Sequence, residues 1–328
     1  MIELLSRRVR LAARAGFVAS MALAFAGPAL AEYPDKPIKL IVPFAQGGAT
    51  DQVGRMIAQP LEEVLGTSVA VVNQAGAGGA VGLANLSRAR PDGYTLGIGS
   101  DSSLAARPLM TESGYTSESF APIARLVEAP TGFAVASNSK YQDLKSLVEA
   151  MKSGQKVTWS SPGVGSGPHL AAETFFEKFG VQATHINAQS GKEALVKLLS
   201  GEVDFVSAAG SNFPAMVSEN EGAIKVLGLA GEKRWPRMPD IPTFKEEGFD
   251  FIRSQWFGLV APAGTPEDVV NKLATEVEKI MNNPESDKLL ANFHFSSAYQ
   301  GPEKFAEQIQ IESKELAPVL QRIGMAKK

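Results

Sequence analysis

Cysteine is absent from all 328 residues, so a chain of this size has to be held by packing and not by crosslinks. Histidine is scarce. The three residues at 169, 185 and 294 lie far apart with no metal-like spacing, which argues against a structural zinc site. Long apolar runs are missing beyond residue 31. No later stretch approaches 18 uninterrupted apolar residues, which predicts a soluble mature chain. There is no long low-complexity linker and no short-period repeat.

What is present begins with an export signal. Residues 1–31 carry Arg7, Arg8, Arg10 and Arg14, then an apolar run from Ala15 to Ala26, and end in Gly27-Pro28-Ala29-Leu30-Ala31. That order of charge, apolar run and small-x-small pattern is a secretory signal peptide cleaved near Ala31, too short and wrongly flanked for an anchor. Ser6-Arg7-Arg8 is only a partial twin-arginine pattern, because Arg10 stands where an apolar residue is expected. The mature chain, Glu32 to Lys328, holds 28 basic and 34 acidic residues, a formal charge of −6. This surplus argues against a nucleic-acid surface and lends nothing to an anionic-membrane surface. Nearly 300 residues suffice for two ordinary domains.

Strand and helix patterns alternate. Strands are predicted at 38–43, 69–72, 94–98, 122–127, 132–136, 156–160, 183–186, 203–207, 224–229 and 256–260. Helices are predicted at 50–65, 79–89, 142–152, 168–179, 191–200, 266–282 and 302–322. The alternation implies an α/β architecture with largely parallel sheets. Thr265-Pro266-Glu267-Asp268 reads as a helix start with Thr265 as the N-cap. Trp159 and Trp256 border strand patterns and are expected in the core.

Two glycine loops break this rhythm in the same way. Lys39 to Phe44 runs into Ala45-Gln46-Gly47-Gly48-Ala49-Thr50-Asp51, and Lys156 to Ser161 runs into Pro162-Gly163-Val164-Gly165-Ser166-Gly167-Pro168-His169; a helix follows each. A helix N-terminus offers free amides and partial positive charge, and adjacent glycines let a ligand approach the backbone. The first loop has no Lys or Arg, so an anion there would be held by main-chain dipoles; the other reading is an ordinary βα turn with Asp51 favoured by the dipole. Two such loops suggest two α/β lobes facing one cleft, since ligands in open α/β sheets sit beyond the carboxyl ends of the strands.

Enzyme motifs fail in turn. Val164 replaces the first glycine of G-x-S-x-G. Gly76-Ala77-Gly78-Gly79-Ala80-Val81 misses the dinucleotide fingerprint at its last position, and Gly191-Lys192 lacks the preceding glycine of a phosphate loop. No cofactor or metal is expected. Ser166 and His169 could meet across a helix start, which leaves an exported Ser/His hydrolase as an alternative, yet no orienting acid or oxyanion hole is legible. His169 reads either as a polar residue of the first helical turn or as a ligand contact. Asp204 reads as a strand-start residue, capping or paired.

The motifs together resemble the Bug family, the extracytoplasmic solute-binding proteins of tripartite tricarboxylate transporters. They are Tyr33-Pro34-Asp35-Lys36-Pro37-Ile38; Val42-Pro43-Phe44 with Gly47-Gly48 and Asp51; Asn73 with Gly76-Ala77-Gly78-Gly79; and Pro91-Asp92-Gly93-Tyr94-Thr95-Leu96. Further on stand Ser161 to Ser166 with His169-Leu170, Gly201-Glu202-Val203-Asp204, Pro239 to Thr243, and Gly258 to Pro266. The resemblance implies a periplasmic, non-catalytic binding protein of two α/β lobes that close like a flytrap on a small carboxylate, a di- or tricarboxylate or an aromatic acid, and deliver it to a membrane permease. It implies a monomer with lobes at 32–127 plus 256–328 and at 128–255, joined near Glu128–Gly132 and Ile252–Trp256. A sensor that presents its closed form to a signalling protein would use the same cycle. Carried over by position, the ligand loops fall on Phe44, Gln46, Gly47 and Gly48; on Gly78 and Gly79; and on Ser100 and Ser102. On the second lobe they fall on Ser161, Gly165, Ser166 and His169; on Asn187 and Ala188; and on Asp204 and Ser207.

This chain departs from the family pattern at three places. Asn187-Ala188-Gln189-Ser190 replaces Pro-Tyr-Lys/Arg-Gly, Gln74-Ala75 replaces Arg-Pro, and Arg107 stands where Asn is common. If these positions line the cleft, the pocket is larger and less basic on one side and suits a bulkier acid. The other reading is that Ala188 faces a neighbouring helix and records only repacking.

Overall fold

The structure, a computed structural model, describes residues 33–220 and 222–327; the predicted signal peptide lies outside them. Its first third reads β1 (Ile38–Val42), α1 (Ala49–Leu65), β2 (Val69–Asn73), α2 (Ala80–Ser87), β3 (Thr95–Ser100) and α3 (Arg107–Met110). A π-helical turn, Asp101–Ala106, separates the last two. Then come β4 (Phe120–Ala136), α4 (Leu144–Lys152), β5 (Thr158–Ser160), α5 (Gly167–Phe179), β6 (Thr184–His185), α6 (Gly191–Leu199), β7 (Phe205–Ala209), α7 (Phe213–Glu219) and β8 (Ile224–Leu229). The chain closes with β9 (Ser254–Pro262), α8 (Glu267–Met281), α9 (Pro284–Asn292), β10 (Ser296–Gln300) and α10 (Pro302–Arg322).

These strands form two mixed sheets that share β4. In the first, β1 lies parallel between β2 and β3, and β3 runs antiparallel to β9. β9 then pairs antiparallel with the first part of β4, from Phe120 opposite Pro262 to Pro130 opposite Ser254. From Thr131 onward β4 changes partners, taking β7 on one side and β8 on the other, while β5 joins β7 and β6 in parallel. The result is two α/β lobes strung on one long strand.

The crossing itself departs from expectation. The sequence predicts separate strands at 122–127 and 132–136, and a single 17-residue strand is present. Pro130 and Gly132 do not break it, because β9 pairs up to Pro130 and the second sheet takes over at Thr131. Gly132 serves close approach instead: a Cβ there would run into Leu229 and Phe213 side chains and the Gly228 carbonyl.

Each lobe has its own core. Phe133 sits among Phe175, Phe205 and Phe244 at ring separations of 5.0–5.3 Å, and Trp159 closes that cluster. In the first lobe Trp256 meets Phe305 edge-on at 5.3 Å above Leu83, Leu86 and Leu104. Both tryptophans are core residues, as the sequence suggests. A third cluster spans the lobes, where Leu170 of α5 packs on Ala105, Ala106, Met110, Leu316 and Leu320. Thr265 does not cap α8; Pro266 holds that place and Thr265 Oγ1 donates to the Pro262 carbonyl.

Candidate functional site

The loop after β1 is shaped by one carboxylate. Asp51, buried in the first turn of α1, accepts from the Gly47 amide at 2.9 Å, from Asn73 Nδ2 at 2.9 Å and from Arg55 Nε at 3.0 Å. Asn73 Nδ2 also donates to the Phe44 carbonyl at 3.0 Å, so both ends of the loop are tied to one point. Burial alone would raise the Asp51 pKa, but the hydrogen bonds from Arg55, Gly47 and Asn73 outweigh it and hold the group below the usual carboxylate range. Gly47 adopts φ +85°, a conformation glycine takes without steric cost. The Gly47 amide is consumed by Asp51, so the donors left for a ligand are the first-turn amides of α1 beyond it.

The loop after β5 has a similar outline and a different backing. Ser166 caps α5, its Oγ accepting from the His169 amide at 3.3 Å. The His169 ring turns away from Ser166, stacks on Trp159 at 5.4 Å and meets the His185 ring edge-on at 4.7 Å. Burial, and then the neighbouring His185, lower the His169 pKa to about 3, so the ring is neutral at physiological pH. A ring so weakly basic, stacked on Trp159 and touching Ser166 only through its backbone amide, cannot serve that serine as a base. Ser161 Oγ lies 3.1 Å from His185 Nε2, inside the same buried layer. Asp101 packs from the first lobe against Gly167, where a Cβ would overlap its carboxyl group. Burial and the charge of Glu312 push its pKa up to about 8, holding it protonated at neutral pH.

The lobes enclose one large cleft of about 1430 Å3. Phe44, Gln46, Gly47 and Gly48 line it from the first loop, with Gly78, Ser100 and Ser102 beside them. Gly165, Ser166, Asn187 and Ala188 face them from the second lobe. Five of the expected positions lie behind this lining. Gly79 seats the Phe44 ring, and Ser161 and His169 belong to the tryptophan layer. Asp204 accepts from the amide and hydroxyl of Thr158 at 2.8 and 3.0 Å, the paired role allowed for it, and Ser207 donates to the Pro168 carbonyl at 2.8 Å. These residues shape the loop from beneath. Ala188 lines the cleft but is only 1 % exposed, so its methyl closes the wall where an aromatic ring would project.

Two contributions to the lining were not read from the sequence. Helix α6 turns Lys192, Leu195, Val196 and Leu199 to the cleft, and α7 with its N-cap turns Asn212, Ala215, Met216 and Glu219. Both sets follow the i, i+3, i+4, i+7 spacing of one helix face, a signal present in the sequence. The second is Arg107, whose departure from the family pattern was visible but whose direction was not. Three helix N-termini, those of α1, α5 and α6, therefore open on the cleft with their partial positive charge; α1 and α6 add first-turn amides, whereas in α5 Pro168 has no N–H and Ser166 takes the His169 amide.

A family described as Tripartite tricarboxylate transporter family receptor matches residues 53–325. The "UPF0065 protein in gbd 5'region" of Cupriavidus necator is 32% identical over 327 residues, 96% of this chain and 97% of that protein. Among solved structures, Rpa4515 of R. palustris with adipate superposes with a TM-score of 0.80 at 26% identity, covering 90% of this chain and 99% of that one. MatC (Rpa3494) of Rhodopseudomonas palustris with bound malate gives 0.74 at 28% identity, over 88% and 100%. With nearly the whole described chain inside these matches, the chain belongs to the tripartite tricarboxylate transporter receptor family, a family of solute receptors and not of enzymes.

Proposed function

We propose that the protein is a periplasmic receptor that captures a small carboxylate between its lobes and hands it to the permease subunits of a tripartite-type transporter. The observation that carries this reading is the convergence of three helix N-termini on one interlobe cleft. A carboxylate there would accept main-chain amides and the hydroxyls of Ser102 and Ser166, each such bond contributing about 1.5–3 kcal/mol. Several of them offset the cost of stripping water from the ligand's charge. The malate of MatC and the adipate of Rpa4515 are both carboxylates, which supports the class. The exposed aliphatic face of α6 supports a bulkier acid than these, with an apolar or aromatic body. The signal segment ending near Ala31 supports export.

The moving bodies in this reading are residues 32–127 with 256–328, and 128–255. They turn on the paired strands β4 and β9, and the ligand's higher affinity for the closed form drives closure. Malate, adipate and benzoate are expected to raise the melting temperature, while glucose and putrescine leave it unchanged. A sugar that binds more tightly than every acid would sink the carboxylate reading. A label pair at Gln46 and Gly165 should shorten with ligand while a pair at Glu62 and Asp268 stays fixed; an unchanged first distance at saturation would mean a rigid pocket.

A further inference from the structure

Arg107 stands on the first-lobe wall of the cleft, at the start of α3, next to Ser102 and Gly78. Its guanidinium lies directly on the Cα of Gly78, so a Cβ at that position would collide with it. Gly78 has φ +62°, a left-handed turn that keeps this seat open. The side chain is half-buried and, among the described residues, has no hydrogen-bond or ion-pair partner. Among the described residues, Arg55, Arg125, Arg253 and Arg322 each pair with a carboxylate instead. Lys192, the other formal cation on the cleft, is exposed and solvated. A partly desolvated guanidinium with five donors and no acceptor is a costly arrangement unless an anion completes it.

We infer that Arg107 is the counter-ion of the ligand, a charge-selecting residue that takes a carboxylate between its guanidinium fork and the Ser102 hydroxyl. This rests on the carboxylate reading above and adds to it. Helix dipoles favour any electronegative group, whereas a fixed guanidinium separates an acid from its amide of the same shape. The cleft is thus basic on the first-lobe side even though the second lobe lacks the family's usual cation. It selects acids by full charge and not by main-chain polarity alone.

The test uses the mature protein with malate, adipate and benzoate, each paired with its amide, and calorimetric titration as readout. For the tightest acid, Arg107→Ala is expected to weaken binding by about 10- to 100-fold, the range of a lost charge-assisted contact. Amide binding stays within about two-fold, so the acid-to-amide ratio collapses. Arg107→Lys keeps part of the ratio, because the charge remains while the fork is lost. Gly78→Ala displaces the guanidinium and should give a similar loss, with no further loss when added to Arg107→Ala. Unliganded melting curves separate misfolding from lost binding, and Arg107→Lys retains the stem packing if Arg107→Ala does not fold. Acid affinity within about two-fold of wild type in Arg107→Ala overturns the assignment and leaves the carboxylate reading intact. A wild type that binds no acid better than its amide overturns both.

Discussion

The two glycine loops that face each other across the cleft share an outline and differ in what supports them. Behind the first, the ionised Asp51 gathers an amide, an amide side chain and a guanidinium into one polar knot. Behind the second stand Trp159, the neutral rings of His169 and His185 and the hydroxyl of Ser161, with the Asp101 carboxyl, its pKa pushed up by burial, against Gly167. A knot of hydrogen bonds fixes direction, so the first loop is set atom by atom. A stack of rings fixes position by contact area, and it depends on the imidazoles staying uncharged.

The largest expected effect in this comparison is at Asp51. Asp51→Ala removes the shared acceptor of the Gly47 amide and the Arg55 guanidinium and leaves Asn73 Nδ2 only the Phe44 carbonyl, and a loss of about 3 kcal/mol in stability is expected, with ligand binding lost as well. Chemical denaturation and calorimetry would check both. A variant as stable as the wild type would mean that glycine geometry alone shapes the first loop.

The next effect separates the loops by pH. His169 titrates near 6.5 when unfolded and at about 3 in the fold, so the unfolded chain binds more protons between those values. The contribution is therefore fully present above pH 6.5 and is lost as pH falls toward 3, reaching about 2 kcal/mol by pH 5. Asp51 has a depressed pKa and loses its contribution only below the usual carboxylate range, so the second loop should fail first on acidification. His169→Phe keeps a ring on Trp159 and should flatten the melting-temperature profile between pH 6.5 and 5. An unchanged profile would place the acid-sensitive group elsewhere.

The smallest effect is at the rim of the second loop. Ser166→Ala removes the α5 cap and one hydroxyl from the cleft, and about 1 kcal/mol of stability and roughly ten-fold in carboxylate affinity should go with it. Full affinity with reduced stability would show that the hydroxyl serves the helix and not the ligand.

Much of the fold was legible because alternating β and α patterns survive any tertiary context. β8 and α10 appear at their predicted bounds, and α1, α5 and α6 differ by one residue at an end. The elements not foreseen are short and either lack a clear period or open on proline. Ser296–Gln300 is mostly polar and becomes β10 only because β4 offers an antiparallel edge. Residues 107–110, 213–219 and 284–292 are short helices with proline in the first turn, which reads from sequence as a break.

The site divides along the same line. Sequence by itself determined that two strands empty into glycine loops before helices, and hence that amides and partial positive charge gather at both loops, because that depends on local spacing alone. Only tertiary structure decided which side chains face the cleft. Ser161, His169, Asp204 and Ser207 share loop or strand-end positions with true lining residues, and burial against Trp159, Thr158 and Pro168 turned them inward. Arg107 went the other way, since a half-buried guanidinium takes its direction from whatever surface admits it, and here that surface is the bare backbone of Gly78.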